Sequence, residues 1–263
     1  MSRYSVITVN RNNANGLKKT IVSVINQTYD DYEYIIIDGN STDDSVKVIK
    51  QFADKVTYWI SEPDSGIYNA MNKGIAASTG DYLIFLNSSD VFYNERVLEL
   101  VNKNHHNSDL IIGRESLGGA FPSDFNPKDI TMMSLFQKPL PHQATFIKRM
   151  LFANTSYDEK FRIVADWKFW IQKLIIENCS YEYIDVVIDV FDMNGVSINS
   201  DGLGTKECKL MFSEVLYKRC IPDYVKYNHL DDKWVELGHK IFYRRHFKKI
   251  LYNLLSLIIR GFN

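Results

Sequence analysis

The chain has 263 residues, of which 45% are hydrophobic and 24% charged. That composition excludes wholesale disorder and allows one large α/β domain, or a domain of about 200 residues with an extension. A formal net charge of −1 gives no reason to expect a nucleic-acid partner.

Taken in chain order, the first hundred residues alternate strand and helix patterns. Tyr4–Val9 is a continuous apolar run and predicts a buried strand; Leu17, Ile21, Val24 and Ile25 then recur at helical spacing. Tyr34–Ile37 predicts a second strand, closed by the turn and cap cluster Asp38-Gly39-Asn40-Ser41-Thr42-Asp43. Val46, Ile49 and Phe52 mark the next helix, and Val56–Ile60 a third strand. Asp64-Ser65-Gly66 is expected to cap a helix with Ile67, Met71 and Ile75 on one face. Tyr82–Leu86 is a fourth strand and runs into Asn87-Ser88-Ser89-Asp90.

The second half is less regular. Asp109–Gly113 and Gln143–Ile147 predict strands on either side of residues 114–141, which are rich in Gly, Pro, Ser and Asp and are expected to be loop with short turns. A helix is expected from Asp166 to Asn178 and a late strand over Tyr183–Val190. Residues 195–205, with several glycines and serines, are expected to be mobile, and helical patterns fill the rest.

Repeated β-α-β units predict a mostly parallel sheet with helices on both faces, and in such sheets ligands bind beyond the carboxyl ends of the strands. The polar clusters fall there: Asn10, Asp38 to Asp43, Glu62 to Asp64 and Asn87 to Asp90 follow strands one to four. No G-x-G-x-x-G or Walker A loop follows strand one, which runs into Asn10-Arg11-Asn12-Asn13-Ala14-Asn15-Gly16. A carboxylate at the end of strand two, Asp38, suits the ribose or base of a mononucleotide.

Three cysteines, Cys179, Cys208 and Cys220, without a C-x-x-C pair argue against a disulfide framework. The N-terminus lacks the pattern of a secretory leader and no apolar run is long enough for a membrane span, so a cytoplasmic protein is expected. From Lys240 onward, Lys240, Arg244, Arg245, Lys248, Lys249 and Arg260 alternate with Leu, Ile and Phe, and no acid is present. Residues 240–263 therefore predict a basic amphipathic helix for an anionic membrane surface; packing on the protein's own core or a second copy of the chain is the other reading.

The runs Ile37–Asp43, Ser61–Gly74, Gly80-Asp81-Tyr82 with Phe85–Asp90, Pro141-His142-Gln143-Ala144 and Ala165-Asp166-Trp167 resemble family 2 glycosyltransferases with the GT-A fold. The resemblance covers roughly residues 4–200. It implies a GT-A catalytic domain over residues 1–205, with a nucleotide-binding half up to residue 100 and an acceptor half beyond it, and a helical extension over 206–263. It also implies an inverting enzyme that moves a sugar from a nucleotide diphosphate donor to a glycan or lipid-linked acceptor at the inner face of the cell membrane.

By position, Thr8, Asn10, Asp38 and Ser41 would line the nucleoside pocket, and Asn69, Asn72 and Lys73 would lie near the ribose and donor sugar. Asn87, Ser88 and Asp90 would hold the diphosphate and a divalent metal, Mn2+ or Mg2+. Asp166 would be the catalytic base, with His142 between donor and acceptor. The chain departs from the family pattern in keeping one acid, Asp90, in the D-x-D loop, and in having Ala165 where a Glu often precedes the base. The Q-x-x-R-W motif of processive members is absent, which favours single-sugar transfer. A sugar nucleotidyltransferase and a catalytically weak nucleotide-sugar-binding relative are the alternative readings.

Overall fold

The computed structural model describes residues 3–103, 107–119, 129–193 and 202–226. Residues up to Val215 form one compact unit around an eight-stranded sheet in the order β3-β2-β1-β4-β7-β6-β8-β5. The strands are β1 (Tyr4–Asn10), β2 (Tyr32–Asp38), β3 (Tyr58–Ser61), β4 (Tyr82–Phe85), β5 (Val91–Phe92), β6 (Leu110–Leu117), β7 (Thr145–Lys148) and β8 (Tyr181–Phe191). The β3-β2-β1-β4 half is wholly parallel. Beyond it, β7 runs antiparallel to both β4 and β6, β8 pairs parallel with β6, and β5 closes the edge antiparallel to β8. The second unit, described over residues 216–226, contains a helical segment at 221–226.

The parallel half follows from its apolar runs: strands covered on both faces have no polar alternation, and every residue of β1 is buried. Helix α1 (Ala14–Ile25) sets Leu17, Ile21 and Val24 against Tyr4, Val6, Tyr34 and Ile36. Helix α2 (Ser45–Gln51) adds Val48 and Ile49 to the same core. Helix α3 (Ile67–Ala77) lies on the other face, where a side chain at Gly74 would collide with Ile7. Its buried face is Tyr68, Ala70, Met71 and Gly74, so the expected Ile67–Met71–Ile75 stripe is corrected by about one residue of helical rotation. The expected Asp64-Ser65-Gly66 cap also differs. Gly66 is the capping residue at φ 141° with no side-chain cap bond, while Asp64 accepts the Gly66 N–H at 3.1 Å.

The α3–β4 connection is fixed by a buried carboxylate. Glu33 accepts from the Ser5 hydroxyl, the Thr79 N–H and hydroxyl, and the Gly80 N–H at 2.5–3.0 Å. Burial pushes the Glu33 carboxyl up, but these donors outweigh it and hold the group below its ordinary value.

The antiparallel half was less visible in the sequence. Residues 114–141 include the end of β6 and helix α5 (Met132–Gln137), begun by a Thr131–Ser134 capping box, after helix α4 (Val97–Asn102) earlier in the chain. His142–Ala144 form a 3-10 turn before β7 rather than the start of the strand. The helix expected over Asp166–Asn178 is α6 (Ala165–Trp170), continued by a π-helical turn over Ile171–Ile176. Helix α7 (Leu203–Val215) follows; residues 194–201, most of the stretch expected to be mobile, lie outside the described residues, as does the basic segment 240–263. No helix among the described residues is long and apolar enough to cross a membrane.

Candidate active site

The ends of β1, β2 and β3 stop in register, with Asn10 beside Asp38 and Asp38 beside Ser61. Asp38 is fully buried. Its Oδ1 accepts from Asn10 Nδ2 at 2.7 Å and the Ser41 hydroxyl at 2.6 Å; its Oδ2 accepts from the Ser41 N–H at 2.9 Å and the Ser61 hydroxyl at 2.6 Å. Four donors satisfy a carboxylate that burial would otherwise penalise. The arrangement leaves Asn10 at the surface of a cleft, its Oδ1 unpartnered among the described residues. Thr8, one pleat below, is fully buried, with its hydroxyl 3.0 Å from that of Tyr34. Gly39 lets the chain pass close to Asp64, whose carboxylate a Cβ at this position would displace. Asp64 in turn lies 3.7 Å from the exposed Arg11 guanidinium.

After β4 the chain stays beside β1, with the Leu86 and Ser88 N–H groups bonded to the Ile7 and Val9 carbonyls. Ser89 takes φ 90°, in the left-handed region that a non-glycine residue rarely adopts. Its N–H donates to the Thr20 hydroxyl at 3.0 Å, and Asn13 Nδ2 donates to its hydroxyl at 3.0 Å. These bonds hold the strained loop and set Asn87, Ser88 and Asp90 in the cleft wall. Asp90 is 3% exposed; Oδ1 accepts the Asp192 N–H at 2.8 Å and Oδ2 accepts from Gln143 Nε2 at 3.3 Å. Burial dominates those bonds and pushes its carboxyl up to about 7. Asn87 Oδ1 is buried without a hydrogen-bond partner among the described residues.

The opposite wall is built on α6. Its N-cap is Val164, so Asp166 lies inside the first turn rather than at the cap. There the helix dipole favours an anion. The Tyr68 hydroxyl, on α3, donates to Asp166 Oδ1 at 2.6 Å. His142 is 6% exposed, stacked on Phe85 at 5.0 Å between ring centroids, with Nε2 2.9 Å from the Tyr157 hydroxyl. Burial pushes its pKa down and Asp166 offsets this only in part, so the ring is neutral at pH 7. Glu207 on α7 accepts the backbone N–H groups of Arg162 and Ile163 at 2.9 Å, fixing the chain that leads into α6.

Both walls face one cleft of about 900 Å3. Of the residues expected from the sequence, it brings together Asn10, Asn87, Ser88, Asp90, His142 and Asp166. Thr8, Asp38 and Ser41 are not in its lining; they support the floor beneath Asn10. Asn69, Asn72 and Lys73 are also outside the lining. Asn69 and Asn72 donate to Glu159, Asn72 exchanges hydrogen bonds with the Tyr157 backbone, and Lys73 binds Glu62 and the Pro63 carbonyl. These bonds make Asn69 and Asn72 a clamp between α3 and the Tyr157–Glu159 segment, and tie Lys73 to the chain after β3. The cleft also takes in residues that sequence reasoning missed: Arg11, Lys138, Arg162, Glu115, Asp192 and Tyr68. Of these, Tyr68 carried a usable signal, lying three residues before Met71 on the apolar face of α3.

The arrangement places amide and hydroxyl groups and one buried acid on one wall and an anchored carboxylate on the other. Known proteins share its framework. The family model described as glycosyl transferase family 2 matches residues 5–152. An uncharacterised glycosyltransferase of Mycobacterium tuberculosis is 35% identical over 205 residues, covering 73% of this chain and 76% of that protein. The poly(ribitol-phosphate) β-N-acetylglucosaminyltransferase TarP of Staphylococcus aureus is 31% identical over 224 residues, covering 76% of this chain and 67% of TarP. Among solved structures, S. aureus TarS 1–349 in complex with UDP-GlcNAc superposes with a TM-score of 0.64 at 15% identity, over 82% of this chain and 65% of that one. That likeness establishes a shared GT-A fold.

Proposed function

The chain belongs to glycosyl transferase family 2, and from that premise we propose that it is an inverting, non-processive enzyme moving one sugar from a UDP-sugar to an acceptor hydroxyl. The observation that carries this reading is Asp166 facing Asn10, Asn87, Ser88 and Asp90 across a single cleft. In this reading the nucleoside rests on the floor that Thr8, Asn10, Asp38 and Ser41 build, and the diphosphate lies along Asn87 and Ser88. Asp166 takes the proton from the acceptor hydroxyl as it attacks the anomeric carbon. With one carboxylate as base on the face opposite the leaving group, displacement is direct and the anomeric configuration inverts. His142, neutral and hydrogen-bonded to Tyr157, shapes the space between donor and acceptor.

The residues at the Asp90 end suit Mn2+ or Mg2+. Asp90, the unpartnered oxygen of Asn87 and the neighbouring Asp192 are hard oxygen donors. Such ions bind through one or two carboxylates and complete their shell with phosphate and water. Among the described residues no group of three or more His, Cys, Asp or Glu side chains is arranged to hold a metal, so donor oxygens would complete the site. A bound ion would offset the charge that develops on the leaving diphosphate.

The relative named for poly(ribitol-phosphate) glycosylation supports a cell-surface glycan as acceptor, and the basic segment 240–263 supports a lipid-linked acceptor at the cytoplasmic membrane face. The test is to incubate the full chain and Mn2+ with a panel of UDP-sugars and lipid-linked glycan acceptors, following UDP release and the anomeric configuration of the product. Acceptor-dependent UDP release with inversion is expected. Retention of configuration, or binding without release across the panel, contradicts the reading; the second outcome favours a nucleotide-sugar-binding relative.

A further inference from the structure

We propose that Tyr68 is a positioning residue for this reaction: its phenol fixes the Asp166 carboxylate in the orientation that accepts the acceptor proton. The inference rests on the reading of Asp166 as the base and adds a second group on which that base depends.

Tyr68 and Asp166 are 98 residues apart and come from the two halves of the unit, yet the phenol oxygen lies 2.6 Å from Asp166 Oδ1. The same oxygen is 2.8 Å from the Ile163 carbonyl. A phenol has one proton to donate, and a charged acceptor makes the stronger bond. Burial first, and the nearby Asp166 charge second, push the Tyr68 hydroxyl well above its ordinary pKa, so it keeps that proton throughout the neutral range.

The ring itself has little freedom. It is buried, lies 5.4 Å from the Tyr157 ring, and sits on a helix held against Ile7 on one side and clamped by Glu159 on the other. Asp166, by contrast, is in a helix turn whose N-cap makes no side-chain bond. An aspartate there rotates about two side-chain torsions unless something anchors it. Among the described residues the Tyr68 phenol is the side chain hydrogen-bonded to that carboxylate. With Oδ1 held, Oδ2 remains for the acceptor hydroxyl.

The ordinary explanation of Tyr68 is packing, and Tyr68→Phe separates the two because it keeps the ring and removes the hydroxyl alone. We expect kcat to fall about tenfold or more, the rate equivalent of one charge-assisted hydrogen bond, with the donor KM changed less than about twofold. In an Asp166→Asn background the same substitution should cost nothing further, since residues acting through one group are not additive. All rates are compared well below the melting temperature of the least stable variant. Placing 3-fluorotyrosine at position 68, which has the same shape and donates more strongly, should retain the wild-type kcat. An unchanged kcat in Tyr68→Phe, or an equal loss on top of Asp166→Asn, overturns the proposal. If Asp166→Asn itself transfers sugar at the wild-type rate, the assignment of the base has failed instead.

Discussion

Asp38 stands in register between Asn10 and Ser61, and its carboxylate binds both, at 2.7 Å and 2.6 Å. One buried acid thus ties together the ends of three parallel strands and aims Asn10 at the cleft. Asp38→Ala leaves the Asn10 amide and the Ser41 and Ser61 hydroxyls without their acceptor. It should lower stability by about 1–3 kcal/mol and weaken UDP binding by a similar amount. Urea unfolding and calorimetry read the two effects; a loss of affinity without a loss of stability would mean that Asp38 touches the nucleotide without supporting the floor.

Glu33 supplies a pH signature of the same framework. Its folded pKa lies below the ordinary 4.5, so its contribution is present above that value and lost as pH falls through the folded pKa. Glu33→Gln should therefore destabilise the protein at pH 7, by about 1–3 kcal/mol. The gap to the wild type should narrow as the pH drops below 4.5. A gap that stays constant between pH 7 and pH 3 would show that ionisation of Glu33 is irrelevant.

Asn72 tests whether the α3 motif clamps the fold or touches the donor. It donates to the Tyr157 carbonyl at 3.0 Å and accepts the Tyr157 N–H at 2.9 Å. Asn72→Ala should cost about 1–3 kcal/mol of stability, two backbone hydrogen bonds, and leave the donor KM within about twofold. A large rise in KM at unchanged melting temperature would return Asn72 to the donor.

These cases show what was legible in the sequence. The β1–β4 half was, because long apolar runs separated by polar caps leave few alternatives, and the strand ends at Asn10, Asp38 and Asn87 marked the ligand edge. Side-chain direction was less legible. The motif around Asn69, Asn72 and Lys73 drew attention to the right helix, but Tyr68 and Met71, rather than these three, line the cleft. Short elements such as β5, two residues long, carry no periodicity to detect. Lys138 and Arg162 reach the cleft through tertiary packing, which no local pattern encodes.

Asp90 is the test of metal dependence. Asp90→Asn removes the acid of the loop after β4 and should lower activity at least about tenfold while weakening the response to added Mn2+ or Mg2+, because an amide is a poorer ligand for a hard cation than a carboxylate. Assays with and without excess chelator check this. Full turnover in chelator would assign charge neutralisation to cleft cations such as Arg11, Lys138 and Arg162.

The central claim is that Asp166 is the general base, and the most direct measurement is the transfer rate of Asp166→Asn. Asparagine preserves the size of the side chain in the first turn of α6 and still accepts a hydrogen bond from Tyr68, but it cannot take a proton. The melting temperature and donor affinity should stay near those of the wild type, while kcat falls at least about 100-fold, the usual scale of general-base catalysis. Transfer at close to the wild-type rate by this variant would contradict the account.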